Sequence, residues 1–145
     1  MNRSLDDLQP HVRAMAKLLL LETEKRGFPL IVTSTLRTFE EQEAIYAKGR
    51  TAPGKIVTKA KSGQSIHNYG LAFDVAFKSP PAKDPFADDN PWTQIGEMGK
   101  AIGLVWGGDW KFKDRPHFEA HGISWQQAAQ MWPKGYSPKK EEKNV

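Results

Sequence analysis

From Leu71 to Phe77 the chain alternates strictly: Leu71, Phe73, Val75 and Phe77 are apolar, while Ala72, Asp74 and Ala76 between them are small or acidic. A period of two predicts a β-strand with one face on a core and a second face of small side chains around a single carboxylate. Upstream the period lengthens. Val12, Met15, Ala16, Leu19 and Leu20 recur at helical spacing, Pro10 suits a first helical position and Gly27 stops the run, so a helix is predicted from Pro10 to Gly27, after a short turn capped by Ser4. "LIVTST", Leu30 to Thr35, is β-branched and reads as a strand that delivers Arg37 to its exit. Thr38 and Glu41 then form a capping box for a helix through Ala47, with Gly49 as its stop.

Residues 50–64 carry turn formers and cations without periodicity and predict an ordered surface loop. After the Pro- and Asp-rich stretch "KSPPAKDPFADDN", Asn90 is expected to cap and Pro91 to open a helix ending near Gly103, followed by the strand-like "LVW" and the turn "GGD". A last strand over Pro116 to Ala120 and a helix from the box at Ser124 to Trp132 close the pattern. Four of the tryptophans, Trp92, Trp106, Trp125 and Trp132, lie on these patterns as core residues. No regular βαβ rhythm and no Gly-rich phosphate loop are present, so the expected class is α+β with a small, mainly antiparallel sheet packed with helices. One domain over 1–133 and a frayed polar tail over 134–145 are expected.

Composition narrows the chemistry. With no cysteine among 145 residues, disulfides, thiolate-held zinc and thiol nucleophiles are excluded, and a metal would be held by His, Asp or Glu. The formal charge of +4 favours an anionic partner: nucleic acid, a membrane surface or an acidic polymer such as a bacterial wall. The cations are scattered and no nucleic-acid-binding motif is present, so no nucleic-acid partner is expected. The run Leu18 to Leu21 is too short to span a bilayer, and "MNRSLDDLQPHVR" has no apolar signal-like stretch before its acidic pair. Neither a membrane partner nor a signal peptide is expected, and a monomer is.

Asp74 is the chemical anomaly. An ionised carboxylate on a mostly apolar strand is costly unless it is paired or coordinates a cation. His67, seven positions earlier, and His117, on the last strand, supply neutral nitrogens, and Gly70 lets the backbone turn tightly before the strand. Two imidazoles and a carboxylate make the three-ligand set of a catalytic zinc with one position open to water, and the flanking alanines leave room for an ion.

The words around these residues are more specific than their spacing. S-x-H-x-x-G-x-A-x-D at Ser65 to Asp74, followed about forty residues on by an acid three places before a histidine, resembles the zinc D-alanyl-D-alanine carboxypeptidase and L-alanyl-D-glutamate endopeptidase family. "RTFEEQ", "GRTAPGKIVTKAKSGQSIHNYGLAFDVAF" and "VWGGDWKFKDRPHFEAHG" resemble its endopeptidase branch, which includes bacteriophage lysins and autolysis enzymes, and the likeness runs over about residues 5–132. It implies a hedgehog/D-Ala-D-Ala peptidase-like fold with one Zn²⁺ at the sheet, held by His67, Asp74 and His117, and Asp114 as catalytic acid/base. Pro116 agrees with that role, because it keeps Asp114 off a helical face. The resemblance also makes Arg37 a substrate-side group, either clamping a muropeptide carboxylate or supporting the developing oxyanion, and puts Gln42 near substrate or water. Trp110 is expected to line the substrate groove.

The implied activity is hydrolysis of the L-alanyl-D-glutamate bond of peptidoglycan stem peptides by an endolysin-like enzyme with no covalent intermediate. Carboxypeptidase members carry an E-x-W-H word where this chain has "DRPH", which favours the endopeptidase branch. The alternatives are a D,D- or L,D-carboxypeptidase with the same zinc core, and a non-catalytic wall-binding module. The implied route is synthesis in a bacterial cytoplasm, from a bacterial or phage gene, and action on the wall after release. Glu119 shares a strand face with His117 and is either an orienter of that ligand, a rival of Asp114 or structural. His11 and His121 are expected to be satisfied or exposed side chains and not ligands, with His121 at a strand end or turn and the natural substitute should His117 fail. Ser65 is expected to be a turn or cap residue with no base placed to activate it.

Overall fold

The computed structural model describes residues 1–80 and 82–138. Its helices are α1 (Pro10–Lys25), α2 (Phe39–Ala47), α3 (Trp92–Ile102) and α4 (Trp125–Met131), and its strands are β1 (Leu30–Ser34), β2 (Ala72–Phe77), β3 (Leu104–Trp106) and β4 (His117–Ala120). These four strands pair antiparallel in one sheet, in the order β1-β2-β4-β3, which is the α+β arrangement the pattern predicts.

β2 is an inner strand, and its alternation divides the sheet into two faces with different jobs. Phe73 pairs in register with Phe118 and stacks on it at 5.7 Å, while Phe77 meets Trp92 edge-on at 4.7 Å. This is the core face. α3 closes over it at unusually short range: a Cβ on Gly96 would collide with the Trp106 ring and one on Gly99 with Phe118. Glycine at both positions therefore lets a helix lie almost on the sheet. α1 packs beside α3 and buries Val12, Ala16, Leu19 and Thr23, a stripe at helical spacing. The opposite face carries Ala72, Asp74 and Ala76 of β2 with His117 and Glu119 of β4.

Local chemistry sets the ends of the elements. Thr38 Oγ1 accepts from the Glu41 backbone N–H, and Glu41 Oε1 accepts from the Thr38 N–H, so the predicted capping box is formed; Ser124 and Gln127 form another for α4. Asn90 does not cap α3. Its side chain accepts from Ala82 N–H and donates to the Asp84 carbonyl, pinning the acidic excursion, and Pro91 holds the cap position without a side-chain bond. Trp92 and Trp106 are buried as expected, whereas Trp125 and Trp132 are half-buried and pack at the margin of the core.

The first residues of the expected tail are docked. Gly135 N–H donates to the Trp132 carbonyl, Tyr136 N–H donates to the Asn68 carbonyl, and the Tyr136 ring meets Trp132 edge-on at 6.1 Å. The rest of that tail, 139–145, lies outside the described residues. Among the described residues no helix is long and apolar enough to cross a membrane.

Candidate metal centre and active site

Three segments converge on the polar face of the sheet. A short 3₁₀ helix, Ile66–Tyr69, carries His67; Ser65 caps it by accepting from the His67 N–H, and Gly70 ends it in the left-handed region at φ 65°. A Cβ on Gly70 would strike the Tyr136 ring and the Asp7 carbonyl, so the turn into β2 requires glycine here. β2 supplies Asp74, and β4 supplies His117 directly opposite it in register.

Each imidazole has one nitrogen tethered and the other turned to the shared centre. His67 Nδ1 donates to the Thr35 carbonyl at 2.8 Å, and its Nε2 lies 3.3 Å from Asp74 Oδ2. His117 uses the opposite edge: Nε2 lies 2.7 Å from Glu119 Oε1, and Nδ1 lies 3.1 Å from Asp74 Oδ1. One donor atom from each of His67, Asp74 and His117 lies within 4.8 Å of the others. Once His117 is neutral, two nitrogens and one oxygen can turn lone pairs to the shared centre, a donor set that fits a zinc ion.

The electrostatics agree with a cation-seeking pocket. Burial alone would raise the Asp74 pKa, but His67 and His117 hold it well below the usual carboxylate range. Burial alone would lower that of His117, but its bonds to Asp74 and Glu119 override this and push it up to about 9. In this geometry both His117 nitrogens face carboxylates, so the ring is a paired imidazolium, and a divalent ion held here would take the place of a proton on it.

A cleft of about 680 Å³ opens over this centre, and Arg37, Trp110 and Asp114 line it together with the three metal-ligand candidates. Asp114 arrives through a fold-back of the loop after β3. Its N–H donates to the Gly107 carbonyl at 2.9 Å, and the two residues are so close that a Cβ on Gly107 would collide with the Asp114 backbone. Burial pushes the Asp114 pKa up, helped by the Asp74 charge and opposed by His117, His67 and Arg37. The Trp110 ring lies 5.1 Å from that of His117 and is 37% exposed, so it forms a wall beside the centre.

Arg37 is held from behind. Its Nη1 donates to Gln42 Oε1 at 3.1 Å and its Nη2 to Ser34 Oγ at 3.4 Å, while its Nε is buried with no partner among the described residues. Burial lowers its pKa against the opposing charges of Asp74, Glu41 and Asp114. Gln42 differs from the expectation of a substrate contact: it is fully buried, outside the cleft wall, and its amide is used on Arg37 and on the Ala60 carbonyl. Its position on α2 faces inward, so it brackets Arg37. His11 and His121 are both exposed, and Ser65 is a cap.

Sequence reasoning missed Asn68. Its Oδ1 accepts from the Gly63 and Ser65 N–H groups and its Nδ2 donates to the Arg37 carbonyl, so one buried amide ties the loop, the His67 turn and Arg37 together. The S-x-x-N spacing from Ser65 was the available signal, since it is the polar pair of a capping box. Thr35, which tethers His67 through its carbonyl, and Gly107 left no comparable trace.

The fold and site define an α+β protein with a His-Asp-His cation pocket on one sheet face, flanked by an acid and an arginine. Comparison with known proteins gives the family. Residues 58–120 match the D-alanyl-D-alanine carboxypeptidase family of M15 peptidases. The chain is 41% identical over 122 residues to the peptidoglycan L-alanyl-D-glutamate endopeptidase CwlK of Bacillus subtilis (strain 168), covering 78% of this chain and 73% of that protein. It is 27% identical over 119 residues to the L-alanyl-D-glutamate peptidase of Listeria phage A118, covering 80% of this chain and 39% of the phage protein. Among solved structures it is similar to the vancomycin resistance D,D-pentapeptidase VanY in complex with Zn(II), with TM-score 0.57, 17% identity, and coverage of 92% of this chain and 82% of that one. The chain belongs to the M15 peptidase family and is a homologue of its L-alanyl-D-glutamate endopeptidases.

Proposed function

We propose that this protein is a zinc-dependent peptidoglycan hydrolase that cuts stem peptides between L-alanine and D-glutamate. The observation that carries the reading is the convergence of His67, Asp74 and His117 in a cleft that also holds Asp114 and Arg37. The 41% identity to an L-alanyl-D-glutamate endopeptidase supports the choice of bond.

His67, Asp74 and His117 would hold one Zn²⁺, and when bound the ion supplies Lewis acidity and brings the pKa of water to about 7. The protein's own groups do the rest. Asp114, made more basic by burial, takes the proton of the attacking water and delivers it to the leaving amine of D-glutamate. Arg37, pre-oriented by Gln42 and Ser34, presents positive charge to the oxygen that becomes anionic or to a substrate carboxylate. Trp110 forms a flat apolar wall against which the peptide can lie. The hydrolysis is direct, with water and no side chain as the nucleophile. The working form is a monomer acting on the bacterial wall after release from the cytoplasm that makes it.

A second reading, D,D- or L,D-carboxypeptidase activity, has the matched family description in its favour. Mass spectrometry of purified peptidoglycan digested with and without chelator separates the two. New N-terminal D-glutamate, lost on chelation and regained with zinc, is expected; free D-alanine without it would establish the carboxypeptidase, and no product at all would leave a wall-binding module.

A further inference from the structure

Glu119 has no part in the chemistry just described, yet it makes the shortest polar contact of the centre, 2.7 Å from Oε1 to His117 Nε2. It lies two residues after His117 on β4, on the same face, and its cross-strand partner in register is Ala72, whose small side chain leaves room for the carboxylate to lean back along the strand. Its side chain is 18% exposed. Asp74 faces the other nitrogen of the ring, so the two carboxylates sit at opposite edges of one imidazole, and Glu119 is outside the group of mutually close donor atoms.

This placement answers a problem the ligand set leaves open. A neutral imidazole carries one N–H, and on Nδ1 that proton would point at Asp74 and remove the lone pair an ion needs. His67 avoids the equivalent error because the Thr35 carbonyl, which can only accept, takes its Nδ1–H. For His117 no backbone group among the described residues does the same; the acceptor at its outer nitrogen is the Glu119 side chain. We infer that Glu119 is a positioning residue of the metal centre, which accepts the Nε2–H of His117 and thereby holds Nδ1 as the lone-pair donor. The inference rests on reading the pocket as a zinc site. It separates Glu119 from Asp114: one carboxylate acts through a ligand and the other on the reacting atoms.

The test compares Glu119→Ala and Glu119→Gln in the full chain by three readouts: zinc affinity by competition with a chromophoric chelator, the visible spectrum of the cobalt-substituted protein, and the thermal midpoint of the chelated protein. Loss of the outer acceptor is expected to weaken zinc binding roughly 10–100-fold in Glu119→Ala and to alter the cobalt bands. Glu119→Gln keeps a carbonyl oxygen for Nε2–H and is expected to retain most of the affinity and the parental bands. Parental affinity and bands in Glu119→Ala would overturn the inference, as would equal losses in both variants, which would assign the effect to charge alone. Loss of turnover at saturating zinc with affinity unchanged would make Glu119 a substrate-side group and overturn it too. If the parent protein itself takes up no zinc, the metal-site reading fails along with it, which a normal parent beside an unaffected variant would not imply.

Discussion

Asp74 and His117 face each other across the β2–β4 ladder, with Oδ1 3.1 Å from Nδ1, so the register of two antiparallel strands sets the distance between two donor atoms. The third donor, on His67, comes from a turn and is placed by its tether to Thr35. Two of the three metal-ligand candidates are therefore built on rigid sheet, where a side chain is held more closely than on a loop.

Asp74→Asn keeps the shape of the side chain and removes its charge. The variant is expected to fold and to lose zinc during gel filtration that the parent survives, measured as metal per chain by atomic absorption. Retention of stoichiometric zinc would show that the carboxylate is not a ligand.

Asp114→Ala is expected to bind zinc like the parent while kcat/KM falls by roughly 10²–10⁴, the usual contribution of a positioned acid/base. Isothermal titration with zinc and turnover on purified muropeptides give the two numbers. Near-parental turnover would transfer the role to another group.

Gln42→Ala removes the acceptor of Arg37 Nη1 and the donor to the Ala60 carbonyl without touching the cleft wall. Leaving buried polar groups unpaired costs about 1–3 kcal/mol, to be read from urea denaturation. Activity should fall with it and Arg37→Lys should fall further, because an ammonium cannot reproduce the fork that reaches both Gln42 and Ser34. An unstable but fully active Gln42→Ala would mean that Arg37 needs no bracket.

Gly107→Ala places a methyl group against the Asp114 backbone. Since the 107–114 fold-back holds the acid but none of the three metal-ligand candidates, turnover is expected to drop more than zinc affinity does. The reverse order would indicate that the loop supports the metal and not the acid.

Stability of the chelated protein should depend on pH in a definite direction. The pKa of His117 is raised from 6.5 to about 9, so its stabilisation is complete below 6.5 and is lost as pH rises through about 9. The pKa of Asp74 is lowered from 3.8, so its stabilisation is present above 3.8 and is lost only as pH falls below that. Urea midpoints of the chelated protein should therefore decline between pH 6.5 and 9.5. The zinc-loaded protein should lack that alkaline limb, because a bound His117 is already neutral. A flat chelated profile over that window would contradict the paired imidazolium.

Much of the site was legible before any coordinates. The alternation around Asp74 marked a carboxylate on the small-residue face of a strand, and the motif words tied it to His67, His117 and Asp114. Capping boxes at Thr38, Ser65 and Ser124 lie within four residues of chain, and they form as read or, at Ser65, as an unrecognised extension of the cap to Asn68. Asn90 misled because a cap-like residue before proline also suits a turn, and the Ala82 N–H and Asp84 carbonyl of the preceding loop won its side chain.

Sequence alone determined most of the elements and named the candidate donor residues, because periodicity, caps and short motifs are local and report what each residue's neighbours allow. Only the tertiary structure decided which nitrogen of each histidine faces the centre, that Gln42 stands behind Arg37, and that Glu119 and the Thr35 carbonyl meet the outer nitrogens of His117 and His67. Those outcomes depend on strand register and on contacts between segments far apart in the chain. The side chains involved are ordinary polar residues whose purpose exists only once the sheet has set their distances.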